Sequence, residues 1–88
     1  MVHYTYILFS QSHYKYYIGQ SNGSPERVVC QHNEGWFSST KKGAPWQLVF
    51  SKQFDSSFES YLLMQKLQSM KSRKFLRYFI DQLRNVEN

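Results

Sequence analysis

Two aromatic and β-branched runs constrain this chain more than anything else in it. They are Tyr4-Thr5-Tyr6-Ile7-Leu8-Phe9 and Tyr16-Tyr17-Ile18-Gly19, joined by the polar, turn-like stretch Gln11 to Lys15. Such residues fit a pleated, half-buried surface. A joint this short allows only an antiparallel return, because parallel strands need a crossover of a dozen residues or more. A hairpin is therefore expected at the start of the fold.

The punctuation downstream is equally readable. Ser21-Asn22-Gly23 breaks the second strand. Ser24-Pro25-Glu26 then starts a helix: Ser24 can cap free N–H groups, Pro25 suits the first helical position, and Glu26 complements the positive end. The helix ends around Asn33-Glu34-Gly35, and a polar loop from Ser38 to Gly43 leads to Pro45. Trp46 to Phe50 alternates as a third strand. Asp55-Ser56-Ser57 opens a second helix, with Glu59 placed for reciprocal capping with Ser56, and Leu63, Leu67 and Met70 follow at helical spacing. Ser72 caps a last helix in which Phe75, Leu76, Phe79, Ile80, Leu83 and Val86 form one apolar stripe. The order β-β-α-β-α-α predicts an α+β domain, a small three-stranded antiparallel sheet flanked by helices.

Eighty-eight residues are too few for two cores, so one domain over 1–88 is expected. Eleven Lys and Arg against six Asp and Glu leave a net charge of +5, which favours a polyanionic partner. The single cysteine, Cys30, excludes an internal disulfide and a cysteine zinc cluster; it reads as a small core residue. No apolar run approaches the ~18 residues of a membrane span. Nor does the N-terminus read as a signal peptide, so a reduced, cytoplasmic setting is the expectation. His3 and His13 read as surface residues. Lys66, Lys71, Arg73, Lys74, Arg77 and Arg84 crowd the last quarter, with Lys41 and Lys42 in the loop before the third strand. Arg73, Arg77 and Arg84 fall on one helical side, opposite the Phe75–Phe79 stripe. They form either a solvated face or a phosphate-contacting surface, with Trp36 or Phe37 available to stack on bases.

Tyr4-Thr5-Tyr6 followed by Tyr17-Ile18-Gly19 resembles the paired motif of the GIY-YIG nuclease superfamily. The capped helix ending in Gln31-His32-Asn33, the Thr40-Lys41-Lys42-Gly43-Ala44-Pro45-Trp46 approach and Lys71-Ser72-Arg73-Lys74 extend the likeness over residues 4–80. It is nearest to small stand-alone bacterial members, similar to the UvrC N-terminal nuclease module. The resemblance implies a GIY-YIG fold and phosphodiester hydrolysis. In such enzymes two tyrosines line the site, a first-helix arginine stabilises phosphate, and a later glutamate holds one divalent ion, usually magnesium. A tyrosine or the neighbouring histidine activates water. Hard Mg²⁺ wants carboxylate oxygen, and the anionic transition state wants a metal and a guanidinium.

Carried over by position, Tyr6, Tyr17 and Gly19 match the motifs, although Tyr4 stands where the first motif usually has glycine. His32 matches the histidine that follows the catalytic arginine by four residues, yet Val28 occupies the arginine position. Arg27 lies next door but about 140° round the helix from His32; it serves only if the first turn is rotated. Met64 stands in the glutamate position and Gln68 replaces a lysine common in close relatives. Soft sulfur is a poor ligand for Mg²⁺.

The leading expectation is a GIY-YIG-fold protein that binds DNA, branched or nicked, through Lys41, Lys42, Lys71, Arg73, Lys74 and Arg77, with metal-dependent cleavage lost or severely impaired. No cofactor is expected on that reading, with Mg²⁺ or Mn²⁺ required if the chain is active. Two alternatives stay open. One is an active endonuclease with relocated groups, Arg27 for phosphate and Glu59 or Glu26 for metal. The other is a protein-interaction module or homodimer built on a cleft made apolar by Val28 and Met64. His32 reads equally as a site residue and as a partner of its own helix end.

Overall fold

The computed structural model describes residues 2–70 and 72–87, with side chains as far as Gln82. Lys71 and the side chains of Leu83, Arg84 and Val86 therefore lie outside the described residues. Strands β1 (His3–Ser10) and β2 (Lys15–Ser21) form the hairpin, followed by helix α1 (Pro25–Asn33), a 3-10 turn at Lys41–Gly43, strand β3 (Trp46–Phe54), and helices α2 (Ser57–Gln68) and α3 (Arg73–Glu87). The sheet is antiparallel in the order β2-β1-β3, as the three-stranded reading expected.

β1 sits at the centre, and Thr5, Tyr6, Ile7 and Leu8 are all buried in succession. A strand covered on both faces needs no polar alternation. Successive side chains point to opposite faces. Ile7 packs with Phe50, Leu67, Leu76 and Ile80 under α2 and α3, whereas Tyr6 and Leu8 pack with Val28 and Trp46 under α1. Each fully buried aliphatic side chain, such as Ile7, Leu8 or Leu67, contributes about 1.5–3 kcal/mol of transfer free energy. The two layers thus share one strand, and the faces differ in character. The lower centres on the aliphatic Ile7, Leu67, Leu76 and Ile80, with aromatic rings at its edge, and the upper on aromatic and polar side chains.

The three expected serine caps form. Ser24 Oγ accepts from Arg27 N at 3.3 Å, and Ser56 Oγ accepts from Phe58 N and Glu59 N at 3.1 and 3.4 Å. Ser72 Oγ accepts from Phe75 N at 3.3 Å. β3 runs four residues past the expected Phe50, because Ser51 to Phe54 pair with His3 to Tyr6. Ladder hydrogen bonds to a central strand hold polar residues in a strand that their side chains alone would not predict.

Two expectations fail on helix orientation. Cys30 is exposed, not a core residue, because α1 buries Pro25, Val28 and His32 and Cys30 lies off that line. On α3, Leu76 and Ile80 are buried, but Phe75 is 55% exposed; it sits one residue, about 100°, off the buried line. Arg73 and Arg77 consequently flank the buried side and line a cavity with Ile80, rather than lying opposite the apolar stripe. His13 is exposed as expected and His3 is half-buried.

Candidate active site

The register of the hairpin explains why the two tyrosine motifs belong together. Tyr6 is the cross-strand partner of Gly19, and Leu8 of Tyr17. The Tyr6 ring crosses directly over Gly19: a Cβ built there would meet Tyr6 Oη at 2.5 Å and Cζ at 2.6 Å. Glycine is required here by close approach, since its backbone is not in the left-handed region. Tyr6 is thereby laid against Tyr17, with ring centroids 6.4 Å apart, and the Tyr17 ring lies 5.1 Å from His32.

His32 ties this pair to the loop after α1. It is buried to 1% exposure, with Nε2 3.1 Å from Tyr6 Oη and Nδ1 2.7 Å from Thr40 Oγ1. It is therefore an internal member of the cluster and not a solvated partner of its own helix end. Thr40 also reaches the Phe37 carbonyl at 3.4 Å. One direction satisfies every group: Thr40 O–H donates to that carbonyl and accepts from Nδ1–H, which leaves Nε2 to accept from the Tyr6 hydroxyl. Burial holds the imidazole below its ordinary pKa of 6.5. Burial, and secondarily the neighbouring Tyr17, pushes the Tyr6 hydroxyl well above its usual range. The pair is thus neutral near pH 7, a phenol donating to a neutral imidazole.

Residues not singled out as site members brace this cluster. The Asn33 side chain bonds both backbone groups of Trp46, accepting from N and donating to O at 3.0 Å. Trp46 Nε1 donates to the Thr40 carbonyl at 2.8 Å, and buried Ser10 donates to the Gly43 carbonyl at 2.6 Å. Phe37 covers the His32 ring at 4.5 Å between centroids. The signal for Thr40 and Asn33 was present, since both stand inside motif segments, but which side chain they serve depends on the loop's return to β3. Among the described residues, every buried side-chain nitrogen and oxygen has a hydrogen-bond partner.

The charged positions are placed differently. Val28, one turn before His32, is 7% exposed and packed against Tyr6, Leu8 and Trp46, so it fills part of that layer. Arg27 is exposed on the far side of a regular α1 whose Ser24 cap is in place, so the rotated first turn that would aim it inward is absent. On α2, Gln20 donates to Ser60 Oγ at 2.5 Å, and Gln68 donates to the Ile18 carbonyl at 3.1 Å. Half-buried Met64 lies one turn from each, on the side facing β2. Glu59 and Glu26 are exposed in the first turns of two different helices. Among the described residues no three His, Cys, Asp or Glu side chains gather where they could hold a metal ion, and His32 spends both nitrogens on Tyr6 and Thr40. The donor set does not fit a hard divalent cation.

Lys41, Lys42, Arg73, Lys74 and Arg77 flank the hairpin turn. Lys41 and Lys42 are exposed immediately after Thr40, on the α1 side. Arg73, Lys74 and Arg77 are exposed on α3, across the sheet. The hairpin turn lies between them: Ser12 Oγ reaches the Gly43 and Ala44 carbonyls at 3.3 and 3.4 Å, and the Arg73 guanidinium donates to the Tyr14 carbonyl. Trp36 is exposed beside the first group. No helix among the described residues is long and apolar enough to cross a membrane.

Comparison with known proteins agrees with this geometry. The profile of the GIY-YIG catalytic domain matches residues 2–75. No curated protein matches the sequence. Among solved structures, the solution NMR structure of the UPF0213 protein BH0048 from Bacillus halodurans is similar in fold, with a TM-score of 0.58 and 24% identity over 93% of this chain and 85% of that one. By the extent of the profile match and the pairing of its motifs across one hairpin, the chain belongs to the GIY-YIG family.

Proposed function

We propose that this chain binds nucleic acid, foremost DNA, and that metal-dependent phosphodiester cleavage is lost or severely impaired in it. Tyr17, Phe37, Lys41 and Lys42 form the contact surface on the α1 side, joined around the hairpin turn by the basic residues of α3. The observation that carries the reading is Val28, buried against Tyr6 one turn before His32, where the resemblance expects a guanidinium. Met64 compounds it by removing the carboxylate expected on α2. The buried, neutral Tyr6–His32 pair spends its hydrogen bonds internally and brings no positive charge to match the negative charge that develops on a phosphate. Each such electrostatic contact is worth about 10²–10³ in rate, so the two losses together bring cleavage close to background.

The α1-side lysines act on phosphates, so affinity should fall steeply with salt and depend little on sequence. The test uses end-labelled nicked, branched and linear duplexes with Mg²⁺ or Mn²⁺ over a salt series. Salt-dependent binding without cleavage above background supports the proposal. Metal-dependent cleavage that disappears in Tyr17→Phe overturns it.

A further inference from the structure

The face of the sheet opposite Tyr6 and His32 carries a cavity of about 590 Å³ between the hairpin and the start of α3, within the usual range for small-ligand pockets. One wall is aromatic: Phe9 and Tyr16 are cross-strand partners with rings 5.1 Å apart, and the Tyr14 ring lies 6.2 Å from Phe9. The other wall is cationic, made of Arg73, Lys74 and Arg77, all exposed. Asp81 lines the same cavity, so the balance there is three positive groups to one negative. Phe9 shares the Ile7 face of β1, so the whole sheet separates this cavity from the Tyr6–Tyr17–His32 cluster.

Tyr14 supplies an independent pointer. Its φ is 53°, in the left-handed region that bulky side chains rarely adopt and that glycine or asparagine tolerates far better. The strain is spent on a ring that is 67% exposed. The turn that Tyr14 N closes on the Ser10 carbonyl at 2.8 Å accounts for the φ. Glycine or asparagine would serve that turn at lower cost. The ring kept there, edge-on to Phe9 and otherwise facing solvent, is therefore available to a ligand.

We propose that this cavity is a second nucleic-acid site, which takes an unpaired nucleotide of a single strand. The base stacks on the Phe9–Tyr14–Tyr16 wall and the backbone phosphates lie on Arg73, Lys74 and Arg77. Aromatic faces beside cations are the combination that single strands use, and paired duplex bases do not present their faces to it. The inference rests on the proposed function in taking nucleic acid as the ligand and in using the α3 cations; it adds the strand type and the aromatic far-face cavity beside them. A branched or nicked DNA would then lie on the α1 side while its loose strand passes the hairpin turn to the far face.

The experiment measures fluorescence anisotropy of a labelled single-stranded oligonucleotide with the full chain, Tyr14→Asn and Arg77→Gln. Photocrosslinking of a 5-iododeoxyuridine oligonucleotide, mapped by mass spectrometry, locates the contact. The expected result is about tenfold weaker binding for Tyr14→Asn, a similar loss for Arg77→Gln, and crosslinks at Phe9, Tyr14 or Tyr16. Tyr14→Asn should also melt at the same or a higher temperature than the parent, separating lost contact from lost fold. Retained binding in both variants, with crosslinks at Trp36 or Phe37, overturns the far-face site and leaves the proposed function standing. No binding of any oligonucleotide, single- or double-stranded, overturns both. Thymidine monophosphate competing as effectively as the oligonucleotide, per nucleotide, overturns the assignment to a strand.

Discussion

Substituting Gly19 by alanine tests the geometry on which the site depends. The new methyl would lie 2.5 Å from Tyr6 Oη, 2.6 Å from Cζ and 3.1 Å from Cε2. Contacts under 3 Å to a ring cannot be absorbed by a small torsion, and Tyr6 has little room, being 4% exposed and held between Tyr17 and His32. Overpacking of this kind costs about 1–3 kcal/mol. Displacing the ring also breaks the 3.1 Å bond to His32, a further ~0.5–1.5 kcal/mol. Against these, alanine lowers the entropy of the unfolded chain and returns about 0.4–1 kcal/mol. The net expectation is a loss of roughly 2–3 kcal/mol, which for a domain of this size lowers the melting temperature by roughly 10–20 °C. Gly23→Ala is the control, since its Cβ meets only Ser21 Oγ at 3.6 Å, and it should be neutral or slightly stabilising. Thermal unfolding by circular dichroism decides the matter. A Gly19→Ala protein as stable as Gly23→Ala would mean that Tyr6 does not cross Gly19, and the hydrogen-bonded cluster built on that crossing would fall with it.

Because burial lowers the folded-state pKa of His32, the unfolded chain binds the proton more readily. Its contribution to stability should be complete above about pH 6.5 and decline as pH falls from there toward the depressed folded-state value. Urea midpoints between pH 7.5 and 5 should show this slope, and His32→Gln should flatten it; an unchanged slope contradicts the neutral buried imidazole. Met64→Glu returns a carboxylate to the side of α2 facing β2, so millimolar Mn²⁺ should raise the melting temperature of that variant and not of the parent. Equal responses would place the family's metal position elsewhere. Cys30, exposed on α1, should react with Ellman's reagent at one thiol per chain without denaturant, and slow reaction only on unfolding would return it to the interior.

Local chemistry made much of this fold legible. The Ser24, Ser56 and Ser72 caps act within a few residues of themselves, and each forms where the sequence places it. The hairpin follows from two aromatic runs and a short polar turn, and the pairing of Tyr6 with Gly19 follows from the hairpin. Tyr6, Tyr17 and His32 were singled out by resemblance to the family's motifs, and the hairpin and α1 bring their side chains together. What stayed hidden depended on which side of a helix met the sheet. Cys30 and Phe75 looked apolar enough for the core, but α1 settles on Val28 and His32 and α3 on Leu76 and Ile80. Arg73 and Arg77 looked like an outward-facing row until the hairpin turn closed over the first turn of α3.

The amino-acid order by itself determined the succession of strands and helices, the motif pair, and the placing of valine at 28 and methionine at 64. These are matters of residue type and short spacing. Only the tertiary structure decided that Thr40 and Phe37 return to enclose His32, that Val28 fills part of its layer, and that aromatic rings and cations share a cavity on the far face. The cavity and the Val28 layer join segments tens of residues apart, and Thr40 and Phe37, though near His32 in sequence, reach it only through the loop's return to β3. The free energy of these contacts comes from which surfaces exclude water together, and no local pattern in a chain specifies that choice.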